Sequence, residues 1–247
     1  MIPVSGEARA RLDAEAAEII GRYPRARSAL LPLLHLVQAE EGFVSDDGIA
    51  FCAAHLGLTE AEVSAVVSFY TMYKRRPVGE YHVGVCTNTL CAVMGGDEIL
   101  ADLREYLGVA DDEPTPDGKV SLEHVECNAG CDYAPVVMVN WEFFDNMTPA
   151  SARALVDGLR AGQDIDGFEI IAPSRGAPRL VTWKQAARIL AGFPDDQATG
   201  GDTAGRPTLA GLRIAKEHGW GPDTPAAAAE AAPASDRPPT AGDGSTP

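Results

Sequence analysis

The chain has 247 residues, 45% of them hydrophobic, and a formal net charge of -16. That supplies core material for one domain or two small ones, and the charge argues against nucleic acid as a partner, because phosphate binding needs clustered Lys and Arg. With no run of about eighteen apolar residues, no direct membrane insertion is expected.

The N-terminus shows neither the apolar segment of a secretion signal nor the acid-poor composition of a transit peptide, since Glu7, Asp13, Glu15 and Glu18 interleave with Arg9 and Arg11. A cytoplasmic chain is expected. In a reducing compartment its five cysteines are more readily ligands or free thiols than disulfides.

Residues 6–76 read as a small helical bundle. Apolar positions at helical spacing run from Ala10 to Ile20, and Pro24 ends that helix. Ser28 is placed to cap a second helix with Pro32 near its first turn, stopped by Gly42. Ser45 caps a third, closed by Gly57. Thr59-Glu60-Ala61-Glu62 is a capping box that opens a fourth, running to about Tyr70 or Met72. The aromatic cluster from Phe69 to Tyr73 suits packing between bundle and next domain. The Lys74-Arg75-Arg76 run is the strongest basic spot in the chain and reads as a solvated hinge.

Residues 77–162 change period. Residues 81–85 read as a strand ending in Cys86, a helix spans about Asp97 to Leu107, and Asp111 to Gly118 is a turn-rich loop. Val120 to Val125 is a second strand running into Cys127. Residues 134–140 are a third, and Trp141 to Asn146 turns back as a fourth. Thr148-Pro149 opens a helix to about Arg160. The order β-α-β-β-β-α predicts a four-stranded mixed sheet with two helices, the minimal thioredoxin-like α/β domain. The first crossover should be parallel and right-handed, which brings the C-terminal ends of strands one and two together.

Residues 163–221 read as an extension. It contains a candidate strand at Phe168–Ile171, a second capping box at Thr182 opening a helix to about Gly192, and a candidate docking segment from Leu209 to Trp220. Residues 222–247 are more than half Ala and Pro and should form a disordered C-terminal tail. The expected architecture is therefore α+β: helical bundle, thioredoxin-like domain, extension, tail.

The chemistry-bearing residues are Cys86, Cys91, Cys127 and Cys131, delivered by two loops at the ends of two strands. Four thiolates suit zinc, iron or an iron–sulfur cluster. Structural zinc and thioredoxin-type dithiols prefer two residues between paired cysteines, and here the gaps are four and three. A [2Fe–2S] cluster spreads its ligands over two irons and accommodates looser loops. The spacing favours it, with structural zinc and redox or unligated thiols as alternatives. Gly130 suits close backbone approach or positive φ. Glu126 and Asp132 flank the second pair and would disfavour reduction, so a low potential is expected. Cys52 reads as a buried, inert core thiol. His82 and His124, on the strands leading to the cysteines, are candidates for tuning the cluster, although packed or surface roles suit them better. No GxGxxG, P-loop or nucleophile–base arrangement is present, so no independent active site is expected.

Cys86-Thr-Asn-Thr-Leu-Cys91 together with Val125-Glu-Cys127-Asn-Ala-Gly-Cys131-Asp-Tyr-Ala-Pro135 resembles the thioredoxin-like [2Fe–2S] subunits of respiratory complex I, an NADH-quinone oxidoreductase. Residues 34–38, 68–73, 77–79 and 137–140 add to the likeness, which spans about residues 25–162. The resemblance implies one [2Fe–2S] cluster held by Cys86, Cys91, Cys127 and Cys131. It implies a flavoprotein partner subunit carrying FMN, the NADH site and a [4Fe–4S] cluster, so FMN and NADH would bind only the partner. It also implies other peripheral-arm subunits of complex I as neighbours, and a cytoplasmic place at the inner face of the cell membrane through the complex. Similar subunits occur in NAD-linked hydrogenases and formate dehydrogenases. A freestanding thioredoxin-like ferredoxin is a further alternative.

Overall fold

The computed structural model describes residues 6–162, 180–193 and 217. The expected strand at 168–171, the docking segment at 209–220 and the tail at 222–247 lie outside the described residues, apart from Glu217. Four helices come first. Helix α1 spans Glu7–Gly21; a short 3-10 turn at Ala26–Ala29 leads into α2, Leu30–Glu41; α3 spans Asp46–Leu56 and α4 Glu60–Phe69. Ser28 does not cap α2, because the 3-10 turn occupies that place and leaves the helix without a side-chain cap. The other signals act as the sequence suggests. The Ser45 hydroxyl accepts from the Gly48 N–H at 3.0 Å, and the Thr59 box is closed from both sides. Gly42 and Gly57 end α2 and α3 in the left-handed region that a Cβ would disfavour. The helices share one apolar core reaching from Leu12 to Tyr73.

The sheet domain follows with β1 (Tyr81–Cys86), α5 (Thr89–Val93), α6 (Gly96–Leu107), β2 (Glu113–Pro114), β3 (Val120–Val125), β4 (Val137–Val139), β5 (Glu142–Phe144) and α7 (Pro149–Ala161). The sheet has five strands in the order β2-β3-β1-β4-β5, not four. The additional strand is the two-residue β2, which pairs antiparallel with β3. It hides in the turn-rich loop because Pro114 cannot donate to a ladder, and only an edge position tolerates it. β1 and β3 are parallel neighbours, with Cys86 opposite Val125, and β4 runs antiparallel on the other side of β1. Val83 and Val85 join the second core, which takes Ile99 and Leu103 from α6 and Leu155 and Val156 from α7.

His82 and Gly84 alternate to the opposite face of β1. There a helix of the extension, α8 (Trp183–Leu190), lies against both the bundle and this second face of the sheet. The Trp183 side chain is buried, donates from Nε1 to the Gly42 carbonyl at 2.7 Å and lies 5.1 Å from the His82 ring and 5.7 Å from Trp141. Asn140, in the β4–β5 turn, donates to the Val181 carbonyl at 2.7 Å and accepts the His82 N–H at 2.8 Å. Arg188 pairs with Glu15 on α1 at 2.7 Å. This part of the extension is therefore a strap across bundle and sheet. No single described helix is long and apolar enough to cross a membrane; α3 and α4 would pass only as a pair bent by 119°.

Candidate metal centre

The parallel pairing of β1 with β3 does what the two cysteine loops require. Cys86 is the last residue of β1, and Cys127 lies two positions beyond the Val125 that faces it. After Cys86 the chain turns into α5, a helix not expected from the sequence because Thr89–Val93 is too short to show a period. Its one buried residue is Cys91. Cys127 and Cys131 are exposed, Cys131 opening a 3-10 turn to Tyr133. The Cys86 N–H donates to the Val136 carbonyl at 3.1 Å, and Cys86, Cys91, Ala134 and Val136 form a small apolar cluster of their own. Asn88 ties the two loops together by donating from Nδ2 to Glu126 Oε2 at 3.3 Å.

Two backbone features shape the loops. Gly96 opens α6 directly over the first loop. A Cβ there would lie 2.4 Å from the Cys86 carbonyl oxygen and 2.9 Å from that of Cys91, so only glycine fits. In the second loop the positive φ belongs to Ala129, at 55°. Gly130 has φ -100° and is not the residue that needs left-handed freedom. The Ala129 conformation points its N–H at Cys127 Sγ, 3.3 Å away.

The four sulfurs meet as two pairs. Cys127 Sγ and Cys131 Sγ are 3.7 Å apart, and Cys86 with Cys91 interact directly. Charge reaches between the pairs as well: Cys91 senses Cys131, and Cys131 senses Cys86. Among the described residues, no three ligand side chains stand together in a ready coordinating group. Two thiolates on one tetrahedral metal at about 2.3 Å would be about 3.8 Å apart, so the second pair already has the separation of one shared metal. Burial, with Cys86 beside it, pushes the Cys91 thiol up to about 11, and Cys127 raises Cys131. Ligation by either residue therefore requires its proton to leave. The donor set of four soft sulfurs in two pairs, with backbone N–H groups of Ala129 and Val136 directed at sulfur, fits an iron–sulfur group.

The other candidates fall elsewhere. Cys52 is fully buried in the bundle core, and burial pushes its thiol far up, as befits an inert packing residue. His124 is exposed. His82 is buried on the face away from the second core, against Trp183 and Glu123.

The chain is similar to known proteins. Residues 16–160 match the model of the thioredoxin-like [2Fe-2S] ferredoxin family. The E subunit of the NADH-quinone oxidoreductase of Mycobacterium tuberculosis is 63% identical, the match covering 88% of this chain and 84% of the relative. NADH-quinone oxidoreductase subunit 2 of Thermus thermophilus is 40% identical over 62% of this chain and 86% of its own length. Among solved structures, a chain of NAD+-reducing [NiFe]-hydrogenase in the H2-reduced state shares the fold at a TM-score of 0.51 and 20% identity. It aligns with 59% of this chain, which spans only 25% of that longer one. Since the family match takes in more than half of the 247 residues, and the cysteine loops with it, the chain belongs to the thioredoxin-like [2Fe-2S] ferredoxins.

Proposed function

We propose that Cys86, Cys91, Cys127 and Cys131 hold one [2Fe–2S] cluster, and that the chain serves as an electron-transfer subunit of an NADH-quinone oxidoreductase. The observation that carries the reading is the arrangement of the sulfurs in two pairs at one sheet edge. A single zinc would want all four sulfurs mutually about 3.8 Å apart, whereas a binuclear group takes one pair on each metal. When bound, such a cluster supplies one-electron redox chemistry. The chain's own residues set its surroundings. The buried pair, Cys86 and Cys91, excludes water on one side, and the exposed pair leaves the other side open to an electron partner. The Ala129 N–H and the Val136 backbone offer hydrogen bonds to sulfur, which favour the thiolate form. Glu126 and Asp132 add negative charge beside the second pair and oppose reduction, so the potential is low.

The partner is a flavoprotein subunit that carries FMN, the NADH site and a [4Fe–4S] cluster, alongside other peripheral-arm subunits. The 63% identity to the mycobacterial NADH-quinone oxidoreductase chain, over most of the sequence, supports that assembly over an NAD-linked hydrogenase, for which only a likeness of fold speaks. The test is anaerobic purification or reconstitution of the full chain. It should yield about two irons per chain, a visible absorption band and an EPR signal on reduction. Cys86→Ala and Cys127→Ala should each remove all three. A colourless protein with one zinc per chain would overturn the cluster, and a midpoint well above ~0 mV would overturn the low potential. Failure to co-elute with the flavoprotein on gel filtration would point to a freestanding ferredoxin.

A further inference from the structure

The basic run that the sequence presents as a solvated hinge is fixed in place. Gln38, fully buried on α2, donates from Nε2 to the Met72 carbonyl at 3.0 Å and accepts the Lys74 N–H on Oε1 at 2.8 Å. The Val44 N–H donates to the Lys74 carbonyl at 2.7 Å. The run thereby becomes one wall of a cavity of about 260 Å³, whose other wall is formed by β1 and β3.

Besides Tyr73, six ionisable side chains line it: Lys74, Arg75, Arg76, His82, Asp112 and Glu123. The Glu123 carboxylate shows what the cavity holds well. Lys74 Nζ lies 2.5 Å from its Oε2, and His82 Nε2 is also 2.5 Å from that oxygen, although poorly aligned for a hydrogen bond. The remaining capacity is cationic and polar. Arg76 makes no ion pair among the described residues, and Arg75 is held only by Asp46, whose side chain is 93% exposed. The His82 side chain is 3% exposed, and its Nδ1 has no hydrogen-bond partner. A buried imidazole nitrogen without a partner is costly, and its residue lines a cavity whose basic groups outnumber its carboxylates inside a chain of charge -16.

We propose that this cavity is a binding site for a small free oxyanion, held by Arg75 and Arg76 at the wall and by His82 and Lys74 beyond them. Guanidinium groups are suited to it because their planar forks match phosphate and carboxylate oxygens. Asp112 and Glu123 oppose the ligand and limit its affinity, and Glu123 competes with it for Lys74.

The experiment titrates inorganic phosphate into the full chain by calorimetry at constant ionic strength, with chloride as the background anion. Saturable binding of one phosphate per chain is expected. Arg75→Ala/Arg76→Ala should weaken it at least about tenfold, as befits the loss of two charge-assisted contacts. Glu123→Gln should tighten it, because the competing carboxylate is gone and Lys74 is released. No saturable phosphate binding by the wild-type chain, equal affinity in the double-arginine variant, or weaker binding in Glu123→Gln would each overturn the site. Should Glu123→Gln fail to fold, the exposed arginines still decide the matter, with the thermal melt as their folding control. The cavity lies outside the cysteine loops, so its failure and that of the cluster are read separately: one in phosphate heat, the other in iron content and colour.

Discussion

Gly96→Ala sets two effects against each other, and the structure decides between them. Alanine is the better helix former, by up to about 1 kcal/mol in a helix interior and by less at the first position of α6. Against this, the new Cβ would stand 2.4 Å from the Cys86 carbonyl oxygen and 2.9 Å from that of Cys91. Ordinary carbon–oxygen contact is about 3.3 Å, so the overlap with Cys86 approaches about 1 Å, and both obstacles are backbone that cannot rotate away. Forced expansion of a packed site costs about 1–3 kcal/mol. The steric term wins, and a net loss of about 1–2 kcal/mol is expected. For a chain of this size that is a fall in Tm of about 2–8 °C. The displaced element is the floor of the cysteine loop, so iron content per chain should fall as well. Calorimetric melting and iron-to-protein ratio measure the two effects. A Gly96→Ala chain that melts at or above the wild-type temperature with full iron content would refute the reasoning.

Trp183→Ala removes a buried ring and its hydrogen bond to the Gly42 carbonyl and should cost about 3–5 kcal/mol, read by denaturant unfolding; a loss under about 1 kcal/mol would mean that the strap does not hold bundle and sheet together. Cys52→Ala should leave the visible spectrum unchanged and cost about 1 kcal/mol through the small cavity it opens in the bundle; loss of colour would bring Cys52 into the site. His35, buried on α2, is depressed by burial from 6.5 to about 4. Its folded value lies below its unfolded one, so its contribution is full above about pH 6.5 and is lost as pH falls toward 4, reaching about 3 kcal/mol. His35→Leu should flatten that part of the stability profile, and an unchanged acid limb would exclude His35 as its source.

What is legible in the sequence follows the range of each interaction. Ser45, Thr59, Thr148 and Thr182 each accept from a backbone N–H three residues on, so the helix starts they mark can be read locally. The parallel pairing of the two cysteine-bearing strands follows from the strand–helix–strand order and the handedness rule. β2 cannot be read, because two residues containing a proline carry no alternation. Left-handed backbone is expected at Gly130, the residue type best suited to it, whereas the loop places Ala129 there. The strap lies beyond local reading altogether: Trp183 meets a carbonyl 141 residues earlier in the chain. The basic run reads as a solvated hinge for the same reason, since Gln38, which fixes it, lies 36 residues from Lys74.

The central place of β1 also orders events during synthesis. Cys86 and Cys91 leave the ribosome early, but their frame is incomplete until β3 pairs on one side and the segment around Val136 closes on the other. Pairing of this kind is non-local and slow compared with helix formation. The helical bundle, whose contacts are mostly nearer in sequence, can fold while those thiols still stand in a nascent chain. With the four cysteines as the proposed ligands, cluster loading would thus be a late event by construction. Until residues near 139 have emerged, the first pair lacks the complete frame that would set it beside the second pair, and oxidation or the capture of a stray ion is its main hazard.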